Sequence, residues 1–254
     1  AIASCKFDGI RCEVPENTPL SRKLKSIPNH HINMMLPSGG ELTHLDGEII
    51  TYTDGKMDDF NTIQSKVMSE DGQPDFLFHV FDHFGTPTQP YTKRIDTYEA
   101  AVRDSGSELV KSVETVLCRD LDELKLALSG WLSAGFEGAI VRDPWGVYKY
   151  GRATWKQRGM TKVKPMEDAE ATVIGFVEAL ANMNEKKRDE TGKAKRSSHK
   201  ANKVPKGTLG KMLCKSKEFG VIRISAGGMT KELSQYVWDH KREFLGAAVT
   251  YKFQ

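Results

Sequence analysis

The chain has 254 residues, with 37 Lys+Arg against 34 Asp+Glu and so a formal charge of +3. With 39% hydrophobic and 28% charged residues it is long enough to bury one large core or two smaller ones, and its composition excludes fibrous, low-complexity and wholly disordered classes. No apolar run approaches the roughly 18–20 residues a membrane-spanning helix needs, and no leader pattern opens the chain, so a protein not inserted in a membrane is expected. Cys5, Cys12, Cys118 and Cys214 form no CxxC pair, which argues against a zinc ribbon or dense disulfide framework and for a reducing, intracellular setting.

Lys6-Phe7-Asp8-Gly9-Ile10-Arg11 sets an amine in a short Gly-containing turn, with a carboxylate beside it and a guanidinium five residues on. Such a lysine can attack a substrate that carries phosphate, although its ordinary pKa near 10.4 means that burial or nearby cations must favour the neutral amine. By itself the segment reads first as a surface turn. Further on, GEIITYTDG predicts a strand running into a turn at Asp54-Gly55, and DFLFHVFD, apolar on both faces, predicts an interior strand. In DLDELKLALSGWLSAG, Leu121, Leu124, Leu128, Trp131 and Leu132 recur at helical spacing, and Gly135 stands at the expected C-terminal cap. FEGAIVRD is another strand, and the mixture predicts an α/β or α+β core running to about Pro165.

After Pro165 the pattern changes. EATVIGFVEA, LGKMLCKS, GVIRISAGG and AVTYKFQ predict four short strands, and KELSQYVWDHKREFLG one helix, a set compatible with a small Greek-key barrel of the OB type. Residues 184–206 carry nine Lys/Arg against three acids, a local charge of +6 that leaves −3 for the remainder. Without aromatic residues or periodicity they predict an exposed, mobile loop, one suited to phosphate if the partner is a nucleic acid.

Compatible elements recur at long spacings: Ser21-Arg22-Lys23, Leu45-Asp46-Gly47-Glu48, Phe81-Asp82, Glu137-Gly138-Ala139-Ile140-Val141-Arg142 and Lys162-Val163-Lys164-Pro165. With the first lysine motif, and in this order, they make the chain resemble the covalent nucleotidyltransferase superfamily. Within it, the chain resembles the ATP-dependent DNA ligases of the small viral and bacteriophage type. The resemblance implies an α+β protein: an adenylation (nucleotidyltransferase) domain of mixed sheets and helices over residues 1–165, then a small β-barrel OB-fold domain over 166–254 that is cut short at its C-terminus.

It also implies the parts of a site. Lys6 would be the nucleophile that takes AMP from ATP, and Arg11 and Arg22 would hold the AMP phosphate or a DNA 5′-phosphate through bidentate contacts. Glu48 would contact the ribose and lie near the metal, Phe81 would stack on adenine, and Glu137 would help bind the divalent cation, Mg²⁺ with Mn²⁺ as a substitute. Lys162 and Lys164 would hold the AMP phosphate and stabilise charge in the transition state, and Arg152 stands where the family places a basic residue near the phosphate. Lys186, Lys187, Arg188, Lys195 and Arg196 would contact the DNA backbone. The implied partner is nicked double-stranded DNA, bound by a monomer inside a bacterial cell or encoded by a virus.

The chain stops at Tyr251-Lys252-Phe253-Gln254, before the family's closing basic motif, and only five residues precede Lys6. Either the sequence is a fragment that lacks this motif, or self-adenylylation is impaired. Other readings are an mRNA-capping guanylyltransferase, an RNA ligase, an NAD-dependent ligase, and an OB-containing nucleic-acid binder that keeps the motifs without catalysis. EGAIVRDP and the LKSIPN context favour a DNA ligase over the capping enzyme, the strand-rich tail favours it over an RNA ligase, and the arginine of the lysine motif points to ATP over NAD.

Overall fold

The computed structural model describes residues 1–37 and 39–253, which divide into two units between Lys164 and Pro165. In the first unit, β1 (Ile2–Lys6) enters a turn of Phe7, Asp8 and Gly9, and β2 (Ile10–Glu13) leaves that turn in a different sheet. After β3 (Leu20–Ser21) comes α1 (His30–Met35), capped by Asn29, whose side chain accepts the Ile32 N–H at 2.9 Å. The predicted strand is β4 (Leu45–Thr53); it turns at Asp54 and Gly55, with φ of 51° and 73°, into β5 (Lys56–Met57). Two successive positive φ values are what an Asp-Gly hairpin turn supplies cheaply. Next come α2 (Phe60–Val67), capped by Asp59, and β6 (Asp75–His83), the predicted interior strand.

Helix α3 (Tyr91–Asp104) connects β6 to its parallel neighbour β7 (Val110–Ser112), completing a sheet of order β3-β2-β4-β6-β7 with β5 paired to β4. The other sheet takes β8 (Thr115–Leu117), then, after α4 (Leu121–Ser133), β9 (Gly138–Arg142) and β10 (Met160–Val163), in the order β10-β9-β1-β8. The core is built on Ile32, Ile49, Ile50, Ile63, Phe78, Val80 and Tyr98, all essentially inaccessible to solvent. Helix α4 departs from expectation in one respect. Leu124, Leu128, Trp131 and Leu132 form a half-buried stripe, but Leu121 is 70% exposed, because it sits in the first turn, where Asp120 caps the helix at the surface. Gly135, with φ 88°, follows the helix end as predicted.

The second unit is an antiparallel sheet of order β15-β14-β11-β16, formed by β11 (Glu167–Asn182), β14 (Lys203–Ser216), β15 (Gly220–Ser225) and β16 (Ala248–Phe253). Its core gathers Val173, Leu209, Met212, Cys214 and Tyr251 of the sheet with Val237 of α5 (Lys231–Asp239). Two of these strands are long, 16 and 14 residues, and their pairing shifts register after Val173, Val177 and Glu178, which coils the ribbon. Among the described residues no pairing closes this sheet into a barrel. The helix is also shorter than its sequence run suggested: it ends at Asp239, and residues 240–246 are turns.

The segment expected to be a mobile loop is instead a β-hairpin of β12 (Lys186–Arg188) and β13 (Ala194–Arg196), with Lys186 opposite Arg196 and Lys187 opposite Lys195. Local polar chemistry holds it where hydrophobic periodicity is absent. The Asp189 carboxylate accepts the N–H groups of Thr191 at 3.0 Å and Lys193 at 2.9 Å, and Gly192 takes φ 74°. At the root, the buried Asn184 amide donates to the carbonyls of Ser197 and His199 at 3.0 and 2.9 Å. All four cysteines are free, and no described helix is long and apolar enough to cross a membrane.

Among the glycines, Gly138, opposite Lys6 on β9, has the least room for a side chain. Its φ is 154°, and a Cβ there would run into the Val163 carbonyl of β10. Gly138→Ala is therefore expected to lower the unfolding free energy by about 1–3 kcal/mol in urea titration. Gly130→Ala, in α4 with nothing within 4 Å of its Cβ, is expected to raise it by about 0.5–1 kcal/mol.

Candidate active site

Lys6 is the last residue of β1 and pairs with Gly138 at the start of β9, while the Glu137 N–H donates to the Lys6 carbonyl at 3.0 Å. On the other edge of β9, Val163 of β10 pairs with Ala139, which brings Lys164 level with Gly138. Adjoining strands thus converge on one carboxylate. Glu137 meets the Lys6 ammonium through Oε2 and the Lys164 ammonium through Oε1. The three side chains are 20, 15 and 18% exposed, so the cluster is part-buried yet reachable from solvent. Two ammoniums on one carboxylate leave a net positive charge, which suits an anionic substrate. Lys162 is exposed, two residues before Lys164 and so on the same side by the strand period.

The turn after Lys6 carries the chain into the other sheet, where Arg11 pairs with Glu48 and Glu13 with Asp46. Arg11 grips Asp46 in a fork, Nε to Oδ1 at 2.9 Å and Nη2 to Oδ2 at 2.7 Å, with Glu13 Oε1 2.9 Å from the same Nη2. The Tyr148 hydroxyl closes the group, donating to Asp46 Oδ2 at 2.9 Å and accepting from Arg11 at 3.2 Å. Burial lowers the Arg11 pKa, but Asp46 more than reverses this and the net shift is upward. Asp46 is itself pushed up by burial, against the pull of Arg11. Glu48 Oε1 accepts the Gly9 N–H at 3.1 Å. Burial raises its carboxyl to about 7, opposed by that N–H and by Arg11.

Phe81 lies on β6 in the same sheet, half-buried and packed against the core. Nearby, Phe7 stacks on His79 with centroids 4.3 Å apart and meets Phe136 edge-on at 5.1 Å. Burial, with Lys111 second, holds His79 down at about 4, so the ring under Phe7 is neutral at pH 7. It shares a 3.0 Å hydrogen bond with the Tyr52 hydroxyl. Asp82, the neighbour of Phe81, is buried between Arg94 and Arg142.

Of the residues singled out in the sequence, Lys6, Glu137 and Lys164 come together directly, and Arg11 and Glu48 stand side by side one turn away. Arg22 is exposed, and its charge acts on Glu13. Arg152 and Lys162 are exposed, with no ion pair to the Lys6 cluster among the described residues. Lys186, Lys187, Arg188, Lys195 and Arg196 lie in the second unit, all exposed on the hairpin. Sequence reading passed over Asp46, Asp82 and Arg142, which lie inside motifs already quoted, and over Arg94 and Tyr148. Arg94 occupies a polar helical run that reads as surface, and no local signal marks Tyr148. No group of three or more His, Cys, Asp or Glu among the described residues is placed to hold a metal.

A strand-end lysine joined to an acid and a second lysine, beside a sheet bearing fixed guanidiniums, belongs to the adenylation-domain class. The family model described as ATP dependent DNA ligase domain matches residues 1–164, and the chain belongs to that family. A DNA ligase of African swine fever virus is 24% identical over 53% of this chain and 32% of its own length. One from Archaeoglobus fulgidus is 26% identical over 69% of this chain and 34% of its own. The chain thus spans about a third of the length of these curated relatives. Among solved structures, Chlorella virus DNA ligase-adenylate is 25% identical with a TM-score of 0.55, covering 99% of this chain and 87% of that one. A Lig E DNA ligase structure shares the fold at a TM-score of 0.72 and 19% identity, covering 99% and 85% of the two chains.

Glu48 binds its proton more tightly in the folded chain than in the unfolded one. It therefore adds stability below its unfolded value near 4.5, and that contribution is lost as pH rises through about 7, a difference of roughly 3 kcal/mol. Glu48→Gln is expected to match the parent protein near pH 4.5 and to exceed its stability by about 3 kcal/mol at pH 8. Urea unfolding at the two pH values checks this.

Proposed function

We propose that this chain is an ATP-dependent DNA ligase that seals 5′-phosphate/3′-hydroxyl nicks in duplex DNA. The observation that carries the reading is the Lys6–Glu137–Lys164 cluster, in which an amine able to attack phosphorus is held by an acid beside a second cation. First, Lys6 Nζ attacks the α-phosphorus of ATP, the phosphoramidate bond forms, the bond to the bridging oxygen breaks and pyrophosphate leaves. Glu137, in contact with Nζ, is the group placed to accept the amine proton. An oxygen of the nick 5′-phosphate next attacks the bound AMP phosphorus, breaking the bond to Lys6, which regains a proton. Finally the 3′-hydroxyl attacks the 5′-phosphate, the phosphodiester forms and AMP departs. Each step is in-line attack at phosphorus, helped mainly by positioning and by neutralising oxyanion charge.

Within this scheme Lys162 and Lys164 hold the AMP phosphate, Glu48 takes the ribose, Phe81 supports adenine, and Arg11, Arg22 and Arg152 meet phosphates. Arg11 is presented to them by Asp46, Glu13 and Tyr148, which occupy Nε and Nη2 and leave Nη1 for a ligand. The donors also suit the expected Mg²⁺, and Mn²⁺ in its place. Glu48 and Glu137 offer oxygen ligands only, and Mg²⁺ commonly takes one or two carboxylates plus substrate phosphates rather than a protein cage. Bound there, the ion would neutralise charge developing on phosphate oxygens.

Residues 166–254 are read as an OB-fold domain, supported by the coiled antiparallel sheet with its single packed helix. Its hairpin would lie along the DNA backbone without reading bases, the chain acting as a monomer on nicked duplex. The ligase relatives favour this reading over an mRNA-capping guanylyltransferase or RNA ligase.

Incubation with labelled ATP is expected to give a covalent adduct on a denaturing gel that is absent with GTP or NAD and absent in Lys6→Ala, which also loses nick sealing. An adduct that survives in Lys6→Ala, or sealing that does, overturns the reading. Replacing Lys186, Lys187 and Lys195 by Gln is expected to weaken DNA binding and flatten the slope of log K against log[salt] by about 2–3. An unchanged slope would make the hairpin a solvated face.

A further inference from the structure

Behind Phe81 lies a set of buried charges that no step of the proposed reaction uses. Asp82, Arg94 and Arg142 are 5, 2 and 7% exposed. Arg94 meets Asp82 as a fork, Nε to Oδ1 at 2.7 Å and Nη2 to Oδ2 at 3.3 Å, and its Nη1 donates to the carbonyls of Gln89 and Gly146 at 2.5 and 2.9 Å. Arg142 closes the set from β9, the strand that begins beside Glu137. Its Nε stands 4.0 Å from Asp82 Oδ2, and its guanidinium lies 5.3 Å from the Phe81 ring centroid and 4.8 Å from that of Tyr91. Tyr91, the first residue of α3, donates its hydroxyl to the Phe81 carbonyl at 3.2 Å.

Phe81 is therefore held from three sides: its carbonyl by Tyr91, its neighbour by Arg94, and its ring by Arg142. Taking three charges out of water is costly, and an apolar set of similar volume commonly supports a core as well or better. What the charged set supplies is direction. A fork of hydrogen bonds fixes the strand beside the ring, and a cation over an aromatic face restrains its tilt. We infer that Asp82, Arg94 and Arg142 are positioning residues for Phe81, which pre-set the ring plane on which the purine stacks and so govern affinity for ATP rather than the rate of transfer. The inference rests on the reading of Phe81 as the adenine platform. Order imposed during folding is order that binding no longer has to supply.

The test is a double-mutant cycle on adduct formation by the full chain, with the ATP concentration varied. Phe81→Ala is expected to raise KM for ATP about five- to a hundredfold, the range that loss of one base-stacking contact brings. Arg94→Lys, which keeps the charge but loses the fork, is expected to raise KM about three- to tenfold with kcat within about twofold. Arg142→Met removes the cation over the ring while leaving the Asp82–Arg94 pair, and is expected to do the same. It serves where Arg94→Lys fails to fold by circular dichroism. In the Phe81→Ala background neither change should raise KM further, since its target is gone. Effects that add in full to Phe81→Ala, or that fall on kcat, overturn the inference and leave a structural role only. If Phe81→Ala itself leaves KM unchanged, the platform reading fails, and the inference fails with it.

Discussion

One carboxylate, that of Glu137, lies between two ammonium groups that would otherwise repel each other. The geometry of the Lys6 cluster depends on that placement. The strands β1, β9 and β10 are hydrogen-bonded neighbours, and their registers put Lys6, Glu137 and Lys164 at the same level. Close approach is possible because Gly138 has no side chain to strike the Val163 carbonyl. A shift of one residue in either ladder would send a lysine to the opposite face, since strand side chains alternate.

The neighbouring sheet works differently. Its charges, with those that α3 and β9 pack against it, are balanced: Arg94, Arg142, Asp46 and Asp82 are buried, Arg11 and Glu13 are 28 and 20% exposed, and the two aspartates are partners across β4 and β6. Buried hydrogen-bonded pairs of this kind, such as Asp82 with Arg94, act as a rigid frame, because breaking one contact strands a charge in a low-dielectric interior. The Lys6 cluster is part-exposed where the Asp82–Arg94 pair is not, and in the proposed reaction its ammoniums would exchange Glu137 for phosphate oxygens. A stiff frame beside an adaptable charge cluster suits transfer chemistry, which needs fixed positions and a movable group.

The overall charge of +3 conceals this division of labour. Residues 184–206, which include the hairpin, sum to +6, while the remainder of the chain sums to −3. Polar turn chemistry at Asp189 and Asn184 shapes the hairpin without a hydrophobic face, leaving its basic side chains in solvent.

Much of this was legible along the chain. Strands β4, β6 and β9 and helix α4 followed from apolar patterning and turn residues, the pattern changes close to where the chain divides into two units, and the motif residues Lys6, Glu137 and Lys164 are neighbours in space. The basic segment misled because a hairpin fastened by side-chain amides and a carboxylate leaves no periodic signal. Leu121 misled because spacing does not say where a helix meets its core. Arg94 and Tyr148 were invisible for a related reason: each acts on a partner 12 or 102 residues away, Asp82 or Asp46. Local sequence determines which groups a segment can offer, since propensity and patterning are short-range. Which lysine meets which carboxylate, and which arginine is spent on structure rather than left for a ligand, only strand register and burial decide, because those depend on chain segments the local sequence does not contain.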